Sequence, residues 1–86
     1  MSLRVLNSPE EIATALREAI LSAIPDGTVH VTPGSPGHFE LTVVSKTFEG
    51  QSRVQQQQRV YAAIKDLMAG EMAPVHAIDH LRTSTA

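Results

Sequence analysis

The stretch FELTVVS, residues 39–45, decides the fold because its apolar and polar residues alternate. Residues two apart in a β-strand lie on the same face, so Phe39, Leu41 and Val43 would share one buried face. The alternation predicts a half-buried strand. Residues 28–31 are short and rich in β-branched side chains, which predicts a strand before it. Four of the six residues 32–37 are Pro or Gly, so a loop joins the two strands into a hairpin.

A helix is predicted before the hairpin. Ser8 can cap it, Pro9 suits its first position, and Glu11 would complete a capping box. The turn residues 25–27, Pro-Asp-Gly, would end this helix. Its apolar residues recur at the spacing of one buried helical face: Ile12, Leu16, Ala19, Ile20 and Ala23.

A second helix is predicted after the hairpin, over residues 52–69. Its apolar residues fall on one arc: Val54, Val60, Tyr61, Ile64, Leu67 and Met68. Gln57 lies in the middle of that arc, and a buried amide without partners costs about 1–3 kcal/mol. We therefore expect Gln57 to bond a backbone group, and the rest of the glutamine run 55–58 to be solvated.

Gly70 ends the second helix, Pro74 prevents its continuation, and residues 75–82 form a last predicted strand. The order is α-β-β-α-β, an α+β class. Two helices packed on one face of a three-stranded sheet is the simplest layered arrangement for it, and it resembles KH-type folds. We predict a single domain over residues 1–86, with a core at about 8–82 and a frayed tail at 83–86.

The composition is that of a small globular protein, with 86 residues, of which 42% are hydrophobic and 19% charged. A net charge of −2 gives no overall positive field that would recruit a polyanion. The longest apolar run, residues 60–64, is too short to span a membrane, and the N-terminus lacks a secretory signal pattern. We therefore expect a cytoplasmic protein. The chain has no cysteine and so can offer no thiolate ligand.

Histidines are the side chains best suited to chemistry here, because they bind metals and titrate near neutrality. His30 lies in the first predicted strand and His38 closes the loop. His76 and His80 lie in the last strand, where they would share a face with Ile78. They would be about 13 Å apart, too far for one metal ion. Spacing alone therefore favours surface or hydrogen-bonded histidines over a metal site.

No catalytic motif is present: the sequence lacks a nucleophile elbow, a phosphate-binding loop and a glycine-rich turn leading into a helix. The prediction is a protein that is not an enzyme. A KH-like fold raises the alternative of nucleic-acid binding, but KH proteins use a GxxG loop and residues 49–52 have one glycine. Arg53 and Arg59 would then be the basic contacts of a DNA-binding transcriptional regulator.

Several blocks together resemble the BolA family: residues 38–45 (HFELTVVS), 48–50 (FEG), 60–61 (VY) and 75–78 (VHAI). Their order and spacing agree from about residue 8 to residue 80. Residues 50–54 (GQSRV), with the glutamines at 57–58 and the VY block, look like the IbaG branch of that family. Many other BolA proteins have Arg-His-Arg where this chain has glutamines at 56–58.

The resemblance implies the α-β-β-α-β fold and a monothiol glutaredoxin as partner. It implies a [2Fe–2S] cluster held jointly by the glutaredoxin cysteine, glutathione and the BolA protein, for cluster trafficking or iron sensing. The isolated protein is then expected to carry no cofactor and to be a monomer or a weak dimer. The family ligand carried over is His76. The second family ligand is a Cys or His in the hairpin loop; residues 33–37 have neither, which leaves His38, and after it His30.

The resemblance also shows two departures. His80 occupies a position where the family usually has an apolar residue, so it is interpreted as a substitution at the strand end and not as a ligand. The sequence stops before the Thr-Pro start of the additional short helix that many relatives carry. A shorter C-terminus would weaken partner docking or mark a minimal family member.

Overall fold

The computed structural model describes residues 8–86 and confirms the order α-β-β-α-β. Its elements are α1 (Pro9–Ala23), β1 (Thr28–Pro33), β2 (His38–Val44), a 3₁₀ turn (Lys46–Phe48), α2 (Arg53–Met68) and β3 (Ala77–Ser84). The sheet has the order β1-β2-β3, with β1 antiparallel and β3 parallel to the central β2. No helix in this part of the chain is long and apolar enough to cross a membrane.

The cap of α1 is formed by Ser8, as predicted. Its Oγ accepts a hydrogen bond from the Glu11 backbone N–H at 3.1 Å. The Glu11 carboxylate accepts from the Ser8 hydroxyl at 3.0 Å, where the capping box predicted a bond to the backbone. The two residues still lock the first turn of α1, because each side chain holds the other.

The core lies between the two helices and one face of the sheet. The predicted inward face of β2 is confirmed, since Phe39, Leu41 and Val43 are all buried. The other buried hydrophobic residues come from α1, α2 and the connections: Ile12, Ala13, Leu16, Ile20, Ile24, Val29, Phe48, Val60, Ile64 and Val75. Both helices therefore pack on the same face of the sheet, and the outer face carries mostly polar side chains.

The buried face of α2 is rotated from the predicted arc. Val54 and Tyr61, placed in the arc, are 62% and 40% exposed. The prediction for Gln57 is confirmed: its Nε2 donates to the Leu81 carbonyl at 3.3 Å. The prediction that the other glutamines are solvated is wrong for Gln56. It is buried, and its Nε2 donates to the Gln51 carbonyl at 3.0 Å, because the preceding turn folds back over α2.

The last strand departs from regular alternation. Phe39 pairs with Ile78 but Glu40 pairs with His80, so Asp79 is an extra residue, a β-bulge in β3. The prediction that Ile78 and His80 share a face is therefore wrong. Ile78 packs against the core, while His80 lies on the outer face beside Glu40. Compared with a regular strand, the bulge turns the side chain of every later residue of β3 to the opposite face of the sheet.

The end of the chain is paired, so the prediction of a frayed tail at 83–86 is wrong. The Ser45 N–H donates to the Ser84 carbonyl at 3.1 Å, and the Ala86 N–H donates to the Ser45 carbonyl at 3.4 Å. The reason is that β3 continues alongside the whole of β2, up to Ser84.

A hydrogen-bonded chain closes the end of the sheet where β2 finishes. The Arg59 guanidinium donates to Thr47 Oγ1 at 3.2 Å, and Thr47 Oγ1 lies 2.6 Å from Ser45 Oγ. The fully buried Ser45 hydroxyl donates to the Asp26 carboxylate at 2.7 Å. That bond is the main cause that holds the pKa of Asp26 below its usual value, with the Lys46 backbone N–H adding to it. We call Asp26, Ser45, Thr47 and Arg59 the closed end.

Candidate functional site

Two of the four histidines meet at the opposite end of the sheet. Because β2 and β3 are parallel, they begin at the same edge, and His38 opens β2 while His76 immediately precedes β3. The Gly37 carbonyl accepts from the backbone N–H of His76 at 2.8 Å and of Ala77 at 3.2 Å. The start of β3 is thus tied to the hairpin loop. We call Gly37, His38, His76 and Asp79 the histidine end.

Gly37 sets the position of the His76 ring. Its φ is +80°, a conformation that favours glycine. A Cβ at this residue would lie 2.7 Å from His76 Nδ1 and 2.8 Å from Cγ, closer than atoms tolerate. The Nδ1 edge of the imidazole therefore lies directly on the glycine backbone. The opposite edge of the ring, with Nε2, is farther from Gly37, and the residue as a whole is exposed.

The His38 imidazole is held by the bulge residue. His38 Nδ1 and Asp79 Oδ1 are 2.9 Å apart, with side chains 37% and 47% exposed. A carboxylate only accepts, so the Nδ1 proton points at Asp79 and the lone pair of the neutral ring is on Nε2. A carboxylate that orients a histidine in this way is a common partner of metal-binding imidazoles.

The other two histidines are not part of this group. His30 lies opposite Thr42 on β1, four residues along β2 from His38, which is about 13 Å in a strand. His80 Nε2 is 3.9 Å from Glu40 Oε1, too long for a hydrogen bond. The structure therefore brings His76 and His38 together at one end and places His30 and His80 along the outer face of the sheet.

A shallow groove of about 240 Å³ borders the histidine end. It lies between the first turn of α1, with Pro9 and Ile12, and the hairpin loop 33–37. His38 and Phe39 form its third side. The groove is mainly apolar, so it adds a small hydrophobic contact surface beside the exposed imidazoles.

Sequence reasoning missed two residues of the histidine end, Gly37 and Asp79. Gly37 was only one of four loop-forming residues, and nothing in its spacing from His76 reveals the contact. Asp79 left a signal. Ile78 and Leu81 are both apolar but three residues apart, which breaks the strand period of two and is typical of a bulge.

The two arginines proposed for nucleic acid have different neighbours. The Arg59 guanidinium donates to Thr47 and lies 5.8 Å above the centre of the Phe48 ring, so it belongs to the closed end. Arg53 lies beside β3, next to Leu81 and Arg82. They do not combine into one basic surface.

The histidine end suits part of a metal coordination shell. A [2Fe–2S] cluster takes four ligands in all, which are usually thiolates or imidazoles. The sequence has no cysteine, and the described residues contain no group of three or more His, Asp or Glu that could hold a metal ion. Two exposed imidazoles fit a [2Fe–2S] cluster only where a partner supplies the remaining ligands. They do not fit a cluster enclosed by this chain.

Comparison with known proteins settles the family. A family model described as BolA-like protein matches residues 12–86. The chain belongs to the BolA-like family. Its relatives include BolA-like protein 1 of Bos taurus, 39% identical over 69 residues, and the acid stress protein IbaG of Escherichia coli, 32% identical over 63 residues. The resemblance to the BolA family and its IbaG branch, stated from the sequence blocks, is confirmed.

The matched lengths differ between these relatives. The match covers 79% of this chain but 49% of the Bos taurus protein, so the chain spans about half the length of the first curated relatives it matches. For IbaG the shares are 73% and 71%.

Solved structures confirm the fold. A bol-like protein from Babesia bovis has a TM-score of 0.71 at 26% identity and covers 96% of this chain and 90% of its own. Yeast Fra2 has a TM-score of 0.61 at 32% identity, with 85% and 77% covered.

Proposed function

We propose that this BolA-like protein acts as a partner of a monothiol glutaredoxin and shares a [2Fe–2S] cluster with it, for cluster trafficking or iron sensing. The observation that carries the proposal is the exposed His76 imidazole, seated on Gly37 beside the Asp79-bound His38 at an open end of the sheet. Membership of the BolA-like family supports it, because the resemblance to that family implies such a partner.

The residues of the histidine end divide the work. His76 is the proposed ligand, and Gly37 holds its ring against the loop so that the imidazole is presented to a partner. His38 is the proposed second ligand, with Asp79 fixing the Nδ1 proton and leaving Nε2 bare. His30 is the weakest candidate, because it lies along β1 away from both.

A cluster whose ligands come from two proteins suits transfer of the cluster better than permanent electron transfer. Imidazole in place of thiolate raises the potential of a [2Fe–2S] cluster and makes its ligation pH-dependent. The proposed role is therefore binding and transfer rather than catalysis, and the matched family model indicates no catalytic family.

The test is visible circular dichroism of the purified protein mixed with a monothiol glutaredoxin that carries its glutathione-ligated cluster. We expect a new spectrum with a one-to-one endpoint. His76→Ala should abolish or shift that spectrum. His80→Ala is the matched control, since His80 is also an exposed histidine, four residues further along the chain.

The second ligand is tested in the same way. His38→Ala should alter the spectrum of the mixed complex and His30→Ala should leave it unchanged. A spectrum that stays that of glutaredoxin alone would contradict the whole proposal. A new spectrum that survives His76→Ala would contradict only the ligand assignment.

Direct DNA binding as a transcriptional regulator stays a second prediction with less support. Arg59 is already bonded to Thr47 and stacked on Phe48, which leaves Arg53 as the free member of the proposed pair. The measurement is affinity for duplex DNA against salt concentration, because phosphate contacts give a steep slope. An absence of binding at low salt would dispose of this alternative.

A further inference from the structure

A second surface lies far from the histidine end, along the outer edge of β3. In the sheet, β3 has β2 on one side and no strand on the other among residues 8–86. The Ser84 carbonyl accepts from Ser45, the residue that follows β2. Because successive residues of a strand turn their N–H and C=O groups to opposite sides, those of Leu81 and Thr83 face the free edge. An unpaired edge is a template for another strand.

One backbone group of this edge is already bonded within the protein. The Leu81 carbonyl accepts a hydrogen bond from the Gln57 side chain at 3.3 Å, so this edge group takes a donor from outside the sheet. The other outward groups, the Leu81 N–H and the N–H and C=O of Thr83, are the ones with which an added extended backbone would pair. Beside them lies a groove of about 320 Å³, lined by Arg53, Gln57, Leu81, Arg82 and Thr83.

The groove carries positive charge on both sides of the sheet. Arg53 lies on α2, in the helical layer, and Arg82 lies on the opposite, outer face of β3. Both are exposed, and within the described chain neither guanidinium has a carboxylate partner. A strand added at this edge would point successive side chains to the two faces in turn. Its side chains would therefore meet Arg53 on one face and Arg82 on the other.

Exposed apolar side chains lie on α2 near the groove, at the helical spacing of three and four residues from Gln57. Val54, next to Arg53, is 62% exposed, and Tyr61, one turn beyond Gln57, is 40% exposed. They give an added strand a hydrophobic contact that the outer face lacks. We propose that the free edge of β3, with Arg53 and Arg82, binds an extended acidic segment of a partner protein by strand addition.

Two other occupants fit less well. A nucleic acid offers no extended chain of amide N–H and C=O groups for the β3 edge, and the chain carries a net charge of −2. A second copy of this chain, pairing β3 with β3, would bring its own Arg82 to the same edge, and like charges across a strand pair are destabilising. The acidic peptide matches both the backbone and the charges. This proposal does not rest on the proposed cluster function.

The test uses the whole protein, labelled with ¹⁵N, and a short capped peptide of alternating Glu and Val as probe. We expect shifts and slowed hydrogen exchange at the Leu81 and Thr83 amides. Arg53→Gln combined with Arg82→Gln should weaken binding by about tenfold or more, because two charge-assisted contacts are lost. Arg17→Gln, an exposed arginine on α1, is the matched control and should bind like the unchanged protein.

The backbone is tested separately from the charges. A Glu-Val peptide methylated on the amide nitrogens of alternate residues should lose binding, because it cannot pair with the edge. A Lys-Val peptide should not bind. The proposal is overturned by equal binding of the Lys-Val peptide, by equal binding of the double variant, or by no binding at millimolar peptide.

The other occupants have their own outcomes. Displacement of the peptide by duplex DNA with a steep salt dependence would assign this edge to nucleic acid instead. A concentration-dependent dimer that protects Leu81 and Thr83 without peptide would assign it to a second copy. Either result would replace the acidic segment as the occupant.

Discussion

The two ends of β2 use their polar groups in opposite ways. At the closed end, Arg59, Thr47, Ser45 and Asp26 form one chain of hydrogen bonds around a fully buried serine. At the histidine end, the His76 ring is exposed and rests on bare glycine backbone. The first arrangement consumes its donors and acceptors inside the protein, while the second leaves nitrogen lone pairs available to a partner.

The difference separates stability from function along a single strand. Polar groups that are satisfied internally stabilise the fold and offer nothing to a ligand. Replacing an exposed histidine should change the free energy of unfolding little, because water takes over the hydrogen bonds of the imidazole. Variants at the closed end should therefore unfold more easily and still bind, whereas variants at the histidine end should stay folded and lose binding.

The largest effect on folding is expected for Ser45→Ala. The Thr47 backbone N–H donates to Ser45 Oγ at 3.0 Å, and Asp26 accepts from the same hydroxyl. Removing it takes away two hydrogen bonds, one of them to a carboxylate, so the free energy of unfolding should fall by about 1–3 kcal/mol in urea denaturation. Ser22→Ala on the exposed side of α1 is the control. An equal loss in the two variants would break the comparison.

Gly37→Ala should affect both stability and binding. We expect the free energy of unfolding to fall by about 1–2 kcal/mol, because alanine is strained at the positive φ of this residue. Gly70→Ala is the matched control, because its φ is +86° and a Cβ there would meet nothing within 4 Å. Both variants should lose this backbone contribution, and Gly37→Ala should lose more, because its Cβ would also displace the His76 ring. Only Gly37→Ala should shift the ring resonances of His76 and weaken cluster sharing. Unchanged His76 resonances would contradict the role assigned to Gly37.

The smallest effect is a change with pH at Asp26. The hydrogen bond from Ser45 lowers the pKa of Asp26 in the folded protein, so its contribution to stability is present above the pKa of the unfolded chain. The contribution is lost as the pH falls through the lowered pKa. Asp26→Asn and Ser45→Ala should each flatten the fall of the melting temperature in acid. A slope like that of the unchanged protein in both variants would count against the Ser45–Asp26 bond.

Much of the fold follows from local patterns. The alternation at Phe39, Leu41 and Val43 placed the central strand, and Ser8 marked the start of α1. These features depend on residues close together in the chain, so a short window carries the information. His76 was selected by its family block, and the structure adds the reason it can be presented.

The parts that sequence reasoning missed depend on long-range contacts. Gln56 is buried because its amide finds the Gln51 carbonyl, which helix periodicity alone does not show. Val54 faces solvent because α2 is rotated by its packing on the sheet. The contact of Gly37 with His76 joins residues 39 positions apart. No spacing rule in one sequence connects such pairs.

The bulge at Asp79 has a consequence for length variation in β3. Asp79 is the residue without a partner on β2, so its deletion would leave Ile78 facing inward, His80 outward and Leu81 inward, a regular strand. Deleting a paired residue away from the bulge, such as Arg82, would instead turn the rest of the strand over. The chain can therefore be viewed as a complete sheet plus one inserted aspartate, whose carboxylate serves His38 rather than the sheet.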